Sequence, residues 1–315
     1  MGLIRSRAIT STRHLIHVGF PKCGSTSLQA WFSERADLAF DPQVAGGYAG
    51  TRALIRAAAT EQPPLWCVTS DEGFAVGRAR DRADPEDQLT DAPIAIRVER
   101  VCDLLAALFR GATILIVTRG FQGVMASLYS EYARGGGTRS IAEFHSIGAP
   151  RSDRWSNPID YFDYNSVIKL YESRFGAENV IVLPYELMRD SPDSFIATLV
   201  ARLGLRASSI PLPRLNSSLS AAELAWYPRF SLLSHKATAL LGPRNDAAFA
   251  AYQARLGSPK LRRAAGLLAS LSRSELPDPN ATLPSEVLDR VRGRADVLAE
   301  RADYAPYRAE YLIEG

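Results

Sequence analysis

Four short apolar runs, each rich in β-branched residues, constrain the fold of this chain. They are nearly continuous rather than alternating, which is typical of strands that are covered on both faces of a parallel sheet. The runs are His14–Phe20, Leu65–Thr69, Thr113–Thr118 and Asn179–Leu183. Helical patterns separate them, at Ser25–Glu34, Ile96–Phe109, Gln122–Arg134 and Ser166–Phe175. Strands that alternate with helices predict an α/β fold in which helices flank a central parallel sheet.

The last third of the chain has a different composition. From Ala221 to Arg273 it is rich in Ala, Leu and Arg, with breaks at Pro and Gly, and a further helix is predicted over Ser285–Arg301. We expect these segments to be helices and loops that pack on the sheet. The sequence therefore predicts a single domain over all 315 residues, with a sheet core at about 13–205 and a helical region at about 206–315.

Composition excludes several classes of protein. Hydrophobic residues make up 46% and charged residues 23%, which is ordinary for a globular chain, and the net charge of +3 is too small to indicate a nucleic-acid partner. No segment has the roughly 18 apolar residues that crossing a membrane requires. The cysteines Cys23, Cys67 and Cys102 match neither a disulfide framework nor a metal site. We therefore expect a cytoplasmic protein without a transmembrane segment.

The segment that joins the first apolar run to its helix has the composition of an anion-binding loop. A strand that turns through a Gly/Ser/Thr loop into a helix presents free N–H groups and the positive end of the helix dipole. Lys22 adds a charge, Gly24 lets the backbone approach a ligand closely, and the hydroxyls that follow add donors. The residues expected to contact the anion are Lys22, Cys23, Gly24, Ser25, Thr26 and Ser27.

This loop differs from the Walker A motif of kinases. Gly19 and Gly24 have the Walker spacing, but Ser25 stands where the motif has lysine. The third apolar run ends in Arg119, whereas a kinase needs a carboxylate for Mg²⁺ at the end of a neighbouring strand. Cations at these places suit transfer of a sulfuryl group, which carries less charge than a phosphoryl group.

Three segments resemble sulfotransferases that use 3′-phosphoadenosine-5′-phosphosulfate (PAPS) as donor. HVGFPKCGSTSLQAWF is similar to the family's phosphosulfate loop. ILIVTRGFQGVMASLYSEY is similar to its 3′-phosphate site, which implies that Arg119 and Ser127 bind that phosphate. ENVIVLPYELMRDSP is similar to a later strand, which implies that Tyr185 lies near the adenine. The resemblance covers roughly Leu15–Leu205, and it implies a P-loop-NTPase-like sheet and a metal-free reaction.

The resemblance has two departures. The cytosolic branch of the family, which acts on hormones and phenols, has an aromatic residue at the position of Ser27. It also has a late basic glycine loop, and no such loop is found here. These departures favour the bacterial and carbohydrate-type branches, and hence a carbohydrate or glycolipid hydroxyl as acceptor.

The acceptor hydroxyl must lose a proton, so a base is expected within reach of it. The second apolar run continues into Asp71 and Glu72. Several carbohydrate-acting relatives place a glutamate here, so Glu72 is the expected base and Asp71 the alternative. Cys23 lies near a helix N-terminus, where the pKa of a thiol can fall, although a small space-filling residue would also suit its position.

Other functions and roles stay open at this point. The chain could be a divergent P-loop kinase or a non-catalytic, sulfotransferase-like binding module. The charged stretch Gly77–Asp91 predicts a solvated loop or a flap that faces the acceptor. The basic amphipathic segment Pro259–Arg273 predicts a helix whose leucines pack on the core or rest on a membrane. Four aromatic residues suit either an acceptor cleft or the core: Trp155, Tyr161, Phe162 and Tyr164.

Overall fold

A five-stranded parallel sheet organises the fold. The computed structural model describes residues 13–40, 66–77, 92–145, 158–215, 218–240, 246–272, 276–278 and 282–313. The strands are β1 (Arg13–Gly19), β2 (Leu38–Ala39), β3 (Trp66–Asp71), β4 (Thr113–Thr118) and β5 (Val180–Pro184). Their order in the sheet is β2-β3-β1-β4-β5, and every neighbouring pair is parallel. The predicted α/β fold, with helices around a central parallel sheet, is confirmed.

Helices occupy most of the remaining described chain. In chain order they are α1 (Ser25–Glu34), α2 (Ile94–Leu108), α3 (Phe121–Arg134), α4 (Ile141–His145), α5 (Tyr164–Phe175), α6 (Tyr185–Asp190), α7 (Pro192–Leu203), α8 (Ala221–Leu240), α9 (Asp246–Gln253), α10 (Pro259–Leu271) and α11 (Ser285–Val291). A run of 3₁₀-helix, Ala302–Tyr311, lies near the C-terminus. Within the described ranges, no helix is long and apolar enough to cross a membrane.

The apolar face of α1 packs in the core, as the spacing of its apolar residues predicts. Leu28, Trp31 and Phe32 recur at the three- and four-residue spacing of one helix side, and all three are fully buried. The strand before them, β1, is buried along its last five residues. Burial of the helix and the strand together fixes where the loop between them begins and ends.

The register of the sheet brings three strand ends together. Val18 is paired with Asp71 of β3, and Gly19 is paired with Val117 of β4. The loop after β1 therefore leaves the sheet between the carboxyl ends of β3 and β4. This is the edge at which open parallel sheets bind their ligands.

The chain divides into two compact units. The first comprises residues 1–120, 161–215 and 293–315 and contains the whole sheet. The second comprises residues 121–160 and 216–292 and contains α3, α4 and α8–α11. Its core cluster consists of Tyr129, Ala133, Leu219, Leu224, Tyr227 and Ala265. The single domain, and the packing of the late helices on the sheet, stay predictions.

One prediction of secondary structure is corrected, and one strand was not predicted. The helix predicted over Ser285–Arg301 ends at Val291, because Arg292 is extended and Gly293 has a left-handed φ of 73°. A separate 3₁₀-helix, Asp296–Leu298, follows. Strand β2 was not predicted, since its two residues are too few to form a recognisable pattern.

Candidate functional site

The loop between β1 and α1 has an unusual backbone. Lys22 has a φ of 66° and Gly24 a φ of 86°, both in the left-handed region. Glycine tolerates that region, whereas lysine adopts it at a cost of about 1 kcal/mol or more. The N–H of Cys23 donates to the carbonyl of Phe20 at 3.3 Å and closes a turn. Left-handed residues in such loops make successive N–H groups converge, and converging N–H groups bind anions.

The start of α1 leaves donors available. The N–H groups of Ser27 and Leu28 both donate to the carbonyl of Gly24, at 3.0 and 3.2 Å, so the helix begins there. The N–H groups of Ser25 and Thr26 precede these bonds and find no carbonyl partner within the helix. Gly24 gives no side-chain cap, and the first turn holds no acidic residue. The positive end of the helix dipole is therefore not neutralised by α1 itself.

The hydroxyl of Ser25 supplies an independent indication of a ligand. The side chain is buried, and its Oγ has no hydrogen-bond partner among the described residues. Leaving a buried hydroxyl unsatisfied costs about 1–3 kcal/mol. A Cβ atom on Gly19 would lie 2.7 Å from this Oγ and 3.5 Å from Cγ of Glu72. The missing side chain of Gly19 therefore leaves room where the Ser25 hydroxyl and the Glu72 side chain meet.

Arg119 joins the loop to a tyrosine from the next strand. Its Nη1 donates to the carbonyl of Lys22 at 2.9 Å, and its guanidinium carbon lies 4.3 Å from the centre of the Tyr185 ring. The Nε atom is buried without a partner among the described residues. The hydroxyl of Tyr164 donates to the carbonyl of Arg119 at 2.5 Å. The structure thus brings together three residues that the sequence predicted for donor binding: Lys22, Arg119 and Tyr185.

A buried hydrogen-bond network holds the backbone beside Arg119. The fully buried carboxylate of Glu186 accepts from the N–H of Gly120 at 2.9 Å and from the hydroxyl of Tyr311 at 2.6 Å. Thr118 donates to Tyr311 at 3.1 Å and shares a 2.7 Å hydrogen bond with Tyr304. Burial raises the pKa of Glu186. The two tyrosines were not predicted from the sequence, because no local pattern links them to a strand more than 180 residues earlier.

The two candidate bases occupy different positions. Asp71 accepts the N–H of Gly73 at 2.6 Å through Oδ1, so its carboxylate shapes the turn after β3. Glu72 is half-buried and lies against Gly19, at the start of the anion loop. Its position makes Glu72 the better placed of the two to reach a ligand in that loop.

Cys23 faces the interior. Its thiol is fully buried and donates to the carbonyl of Pro21 at 3.6 Å. Burial raises the pKa of Cys23 well above its usual value, and the charge of Arg119 only partly opposes that shift. This burial favours the protonated thiol over the thiolate, which is the nucleophilic form. Of the two roles considered for Cys23, its environment fits the space-filling one.

The remaining predicted loop residues have distinct environments. Thr26 is exposed, so its hydroxyl can reach a ligand. Ser27 is largely buried, and its Oγ accepts from the N–H of Leu215 at 3.5 Å.

Ser127 lies on α3 in the second unit. Its pairing with Arg119 stays a prediction.

Three of the four aromatic residues considered for an acceptor cleft are buried in the core. Phe162 and Tyr164 are fully buried, and Tyr161 is 8% exposed. Phe20 packs on both Phe162 and Tyr164. Trp155 and most of the charged stretch, residues 78–91, lie outside the described residues.

In the part of the chain that the structure describes, no group of three His, Cys, Asp or Glu side chains could hold a metal ion.

Three solved sulfotransferase structures are similar to the chain, whereas no family model and no curated protein sequence matches it. A sulfotransferase from Alicyclobacillus acidocaldarius is 16% identical with a TM-score of 0.45, over 70% of this chain and 93% of that one. The sulfotransferase domain from the curacin biosynthetic pathway is 12% identical with a TM-score of 0.37, over 96% and 98%. Mouse sulfotransferase SULT7A1 complexed with PAP is 13% identical with a TM-score of 0.31, over 70% and 64%. All three TM-scores lie below 0.5, so these likenesses do not by themselves assign a function.

Proposed function

We propose that this chain is a PAPS-dependent sulfotransferase that moves a sulfuryl group from PAPS to an acceptor hydroxyl. One observation carries the proposal. Arg119 stands at the end of β4, hydrogen-bonded to the carbonyl of Lys22 and stacked on Tyr185, beside a loop whose Ser25 hydroxyl has no partner among the described residues. Cations and neutral donors thus meet at the sheet edge where phosphates bind. This chemistry suits a donor whose ribose carries a phosphate group at the 3′ position and a phosphosulfate group at the 5′ position.

The loop at the start of α1 would hold the 5′-phosphosulfate. The first N–H groups of the helix, those of Ser25 and Thr26, have no carbonyl partner within it, and the buried Ser25 hydroxyl has no partner among the described residues. All three are donors that could bind anionic oxygens. The Lys22 ammonium would stabilise the negative charge that develops on the bridging and leaving oxygens. The strain at Lys22 is consistent with a functional position, since strained backbone is often found at active sites.

Arg119 and Ser127 would hold the 3′-phosphate. The buried Nε–H of Arg119 has no other partner among the described residues, and a guanidinium fork matches phosphate oxygens. Tyr185 would contribute twice, because one face of its ring packs against Arg119 and an aromatic face can also stack on adenine.

Glu72 would act as the base. It would accept the proton of the acceptor hydroxyl as the new oxygen–sulfur bond forms in line with the breaking bond to the 5′-phosphate oxygen. Its contact with Gly19 supports this role, because it places the side chain beside the loop. The missing aromatic residue at Ser27 and a carboxylate base both favour a carbohydrate or glycolipid acceptor. Three free, buried cysteines suit a cytoplasmic location.

A kinase is the second candidate, because β3 ends in carboxylates. Asp71 is the last residue of β3, which neighbours β1, and Glu72 follows it, at the place where a kinase would bind Mg²⁺. A kinase requires Mg²⁺ for turnover, and its ATP binding would be unaffected by Arg119→Ala. A non-catalytic binding module would bind nucleotide or glycan without turnover, and Glu72→Ala would leave every measurable activity unchanged.

Turnover in a chelator tests the proposal. We would incubate the protein with PAPS in EDTA, with a panel of phenols, monosaccharides and glycolipids, and measure the release of adenosine 3′,5′-bisphosphate. The expected result is release that depends on a hydroxyl acceptor, needs no metal and is lost in Lys22→Asn and Glu72→Gln. Phosphoryl transfer from ATP, only with Mg²⁺, would overturn the proposal, as would nucleotide binding without turnover on any acceptor.

A further inference from the structure

Helix α10 lies on the surface of the second unit. Ala265 is the one buried residue in its 13-residue span. Lys260, Arg263, Leu267 and Leu271 are exposed, the two leucines at 62% and 72%. Spacings of three, four and four residues put these four side chains on one side of the helix, which we name the α10 face. Two large apolar groups and two cations therefore share the solvent side of the helix.

The charge of the α10 face is of one sign. Helix α10 contains three cations and no acidic residue. One of them, Arg262, lies on another side of the helix and pairs with the buried carboxylate of Glu223 on α8 at 3.2 Å. Neither Lys260 nor Arg263 has an ion-pair partner within the described ranges. Among the described residues of its unit, none therefore neutralises the positive charge of the α10 face in an ion pair.

The adjacent helix α8 has a similar exposed composition. Leu232 and Leu233 are 43% and 65% exposed, and Lys236 is exposed one turn further on. The core sides of α8 and α10 meet through Leu224, Tyr227 and Ala265. Exposed leucines next to lysines and arginines therefore occur on both helices rather than at a single position.

An anionic bilayer matches this composition better than a second copy of the chain. A copy would bring the same cations against each other, and like charges repel. The interface of a bilayer offers an apolar layer for leucines and, just above it, phosphate groups for lysine and arginine. We propose that the α10 face docks this protein on the surface of an anionic phospholipid bilayer. The proposal does not depend on the enzymatic function, although a glycolipid acceptor would be presented on such a surface.

Vesicle sedimentation tests the docking. The full chain would be sedimented with vesicles of roughly 70% phosphatidylcholine and 30% phosphatidylglycerol, and with vesicles of phosphatidylcholine alone, in about 0.1 M and 0.5 M NaCl. We expect binding to the anionic vesicles that weakens at the higher salt. The double variants Leu267→Ser/Leu271→Ser and Lys260→Glu/Arg263→Glu should each lower the bound fraction about fivefold or more.

A matched control uses two exposed leucines of the first unit. Leu104 and Leu108 on α2 are 57% and 64% exposed, close to the values for Leu267 and Leu271. The variant Leu104→Ser/Leu108→Ser should bind vesicles as the parent does, and circular dichroism melting should show all variants folded. The proposal would be overturned if the parent bound neither kind of vesicle. It would also be overturned if Leu104→Ser/Leu108→Ser lowered the bound fraction as much as the α10 variants do. A dimer in solution that Leu267→Ser/Leu271→Ser dissociates would also overturn it, because the face would then be a self-interface.

The outcome is separable from that of the proposed function. Adenosine 3′,5′-bisphosphate binding by the two α10 variants should equal that of the parent, since the donor loop lies in the first unit. Loss of vesicle binding with intact nucleotide binding supports the docking face. Intact vesicle binding in a protein that binds no bisphosphate would leave the docking face in place and remove the enzymatic proposal.

Discussion

The guanidinium of Arg119 lies over the ring of Tyr185, with 4.3 Å between its central carbon and the ring centre. The two residues directly follow Thr118 and Pro184, which are paired in the β4–β5 register. The sheet itself therefore sets their separation. Arg119 then reaches back to the carbonyl of Lys22, so one side chain connects the ends of three strands.

Removing the ring of Tyr185 should loosen Arg119. We expect Tyr185→Leu to weaken the binding of adenosine 3′,5′-bisphosphate about tenfold, because a cation–π contact is lost. Tyr185→Phe keeps the ring and should bind within about twofold of the parent. Calorimetric titration of both variants measures the difference. Equal losses in the two variants would mean that the hydroxyl matters and that the stacking does not.

The backbone and the charge of Lys22 can be separated by the choice of substitution. Asparagine tolerates the left-handed region, so Lys22→Asn should fold with parent stability but lose sulfuryl transfer about 100-fold or more. Lys22→Val should lower the free energy of unfolding by about 1–2 kcal/mol, because a β-branched residue is strained at this φ. Urea unfolding of both variants checks the prediction. If Lys22→Val were as stable as the parent, the backbone at position 22 would not be held in the left-handed region.

The carboxylate of Glu186 should stabilise the backbone beside Arg119. In Glu186→Leu the N–H of Gly120 and the hydroxyl of Tyr311 lose a buried partner, so we expect a loss of about 2–4 kcal/mol in unfolding free energy. Tyr311→Phe removes the hydrogen bonds of Tyr311 to Glu186 and to Thr118, but Glu186 keeps the N–H of Gly120 and Thr118 keeps Tyr304. We therefore expect a smaller loss in unfolding free energy. Denaturant unfolding ranks the variants by their unfolding free energy. If Glu186→Leu were as stable as the parent, the hydrogen bonds of Glu186 would not stabilise this backbone.

Buried His17 should make stability depend on pH. Burial lowers its pKa from 6.5 to about 4, and its Nδ1 shares a 2.7 Å hydrogen bond with Ser70. The unfolded chain therefore takes up a proton below pH 6.5 that the folded chain does not, so stability falls as the pH drops from 6.5 towards 4. This residue alone should cost about 2–3 kcal/mol between roughly pH 7.5 and pH 4.5.

His17→Gln isolates that contribution. The variant lacks the titrating ring, whereas it keeps every carboxylate that also responds to acid. Its unfolding free energy should therefore change less than that of the parent over the same pH interval. Identical pH profiles for the two proteins would show that His17 is protonated as readily in the folded state as in the unfolded one.

The choice between Glu72 and Asp71 predicts different variant behaviour. Glu72→Gln should bind adenosine 3′,5′-bisphosphate as the parent does and lose sulfuryl transfer about 100-fold or more, as expected for a lost base. Asp71→Asn should retain most transfer, because an amide oxygen can still accept the N–H of Gly73. Turnover with an acceptor found in the PAPS screen decides between them. The reverse pattern would assign the base to Asp71.

Local pattern predicted the elements around the loop well. Helix α1 has the bounds that its apolar spacing predicts, and β4 coincides with its apolar run. The carboxyl ends of parallel strands share one edge of a sheet, and for this reason Lys22, Glu72 and Arg119 could be grouped from sequence.

Long-range contacts could not be predicted in this way. Tyr304 and Tyr311 reach Thr118 because the C-terminal segment returns to the sheet unit. Periodicity gives the face that a residue occupies, but it does not give the partner across such a distance. The exposed leucines of α10 are a similar case, since an amphipathic pattern does not say which side of the helix meets the core.

A comparison of two nucleotides in EDTA tests the 3′-phosphate site at Arg119 most directly. Calorimetry would give the affinities of the parent and of Arg119→Ala for adenosine 3′,5′-bisphosphate and for adenosine 5′-monophosphate. Arg110→Ala serves as control, because Arg110 is an exposed arginine that precedes β4 at the opposite end of the strand. The parent and the control should bind the bisphosphate about 100-fold more tightly than the monophosphate, and Arg119→Ala should lose most of that preference. A parent that does not distinguish the nucleotides, or a preference that survives in Arg119→Ala, would contradict a 3′-phosphate site at Arg119.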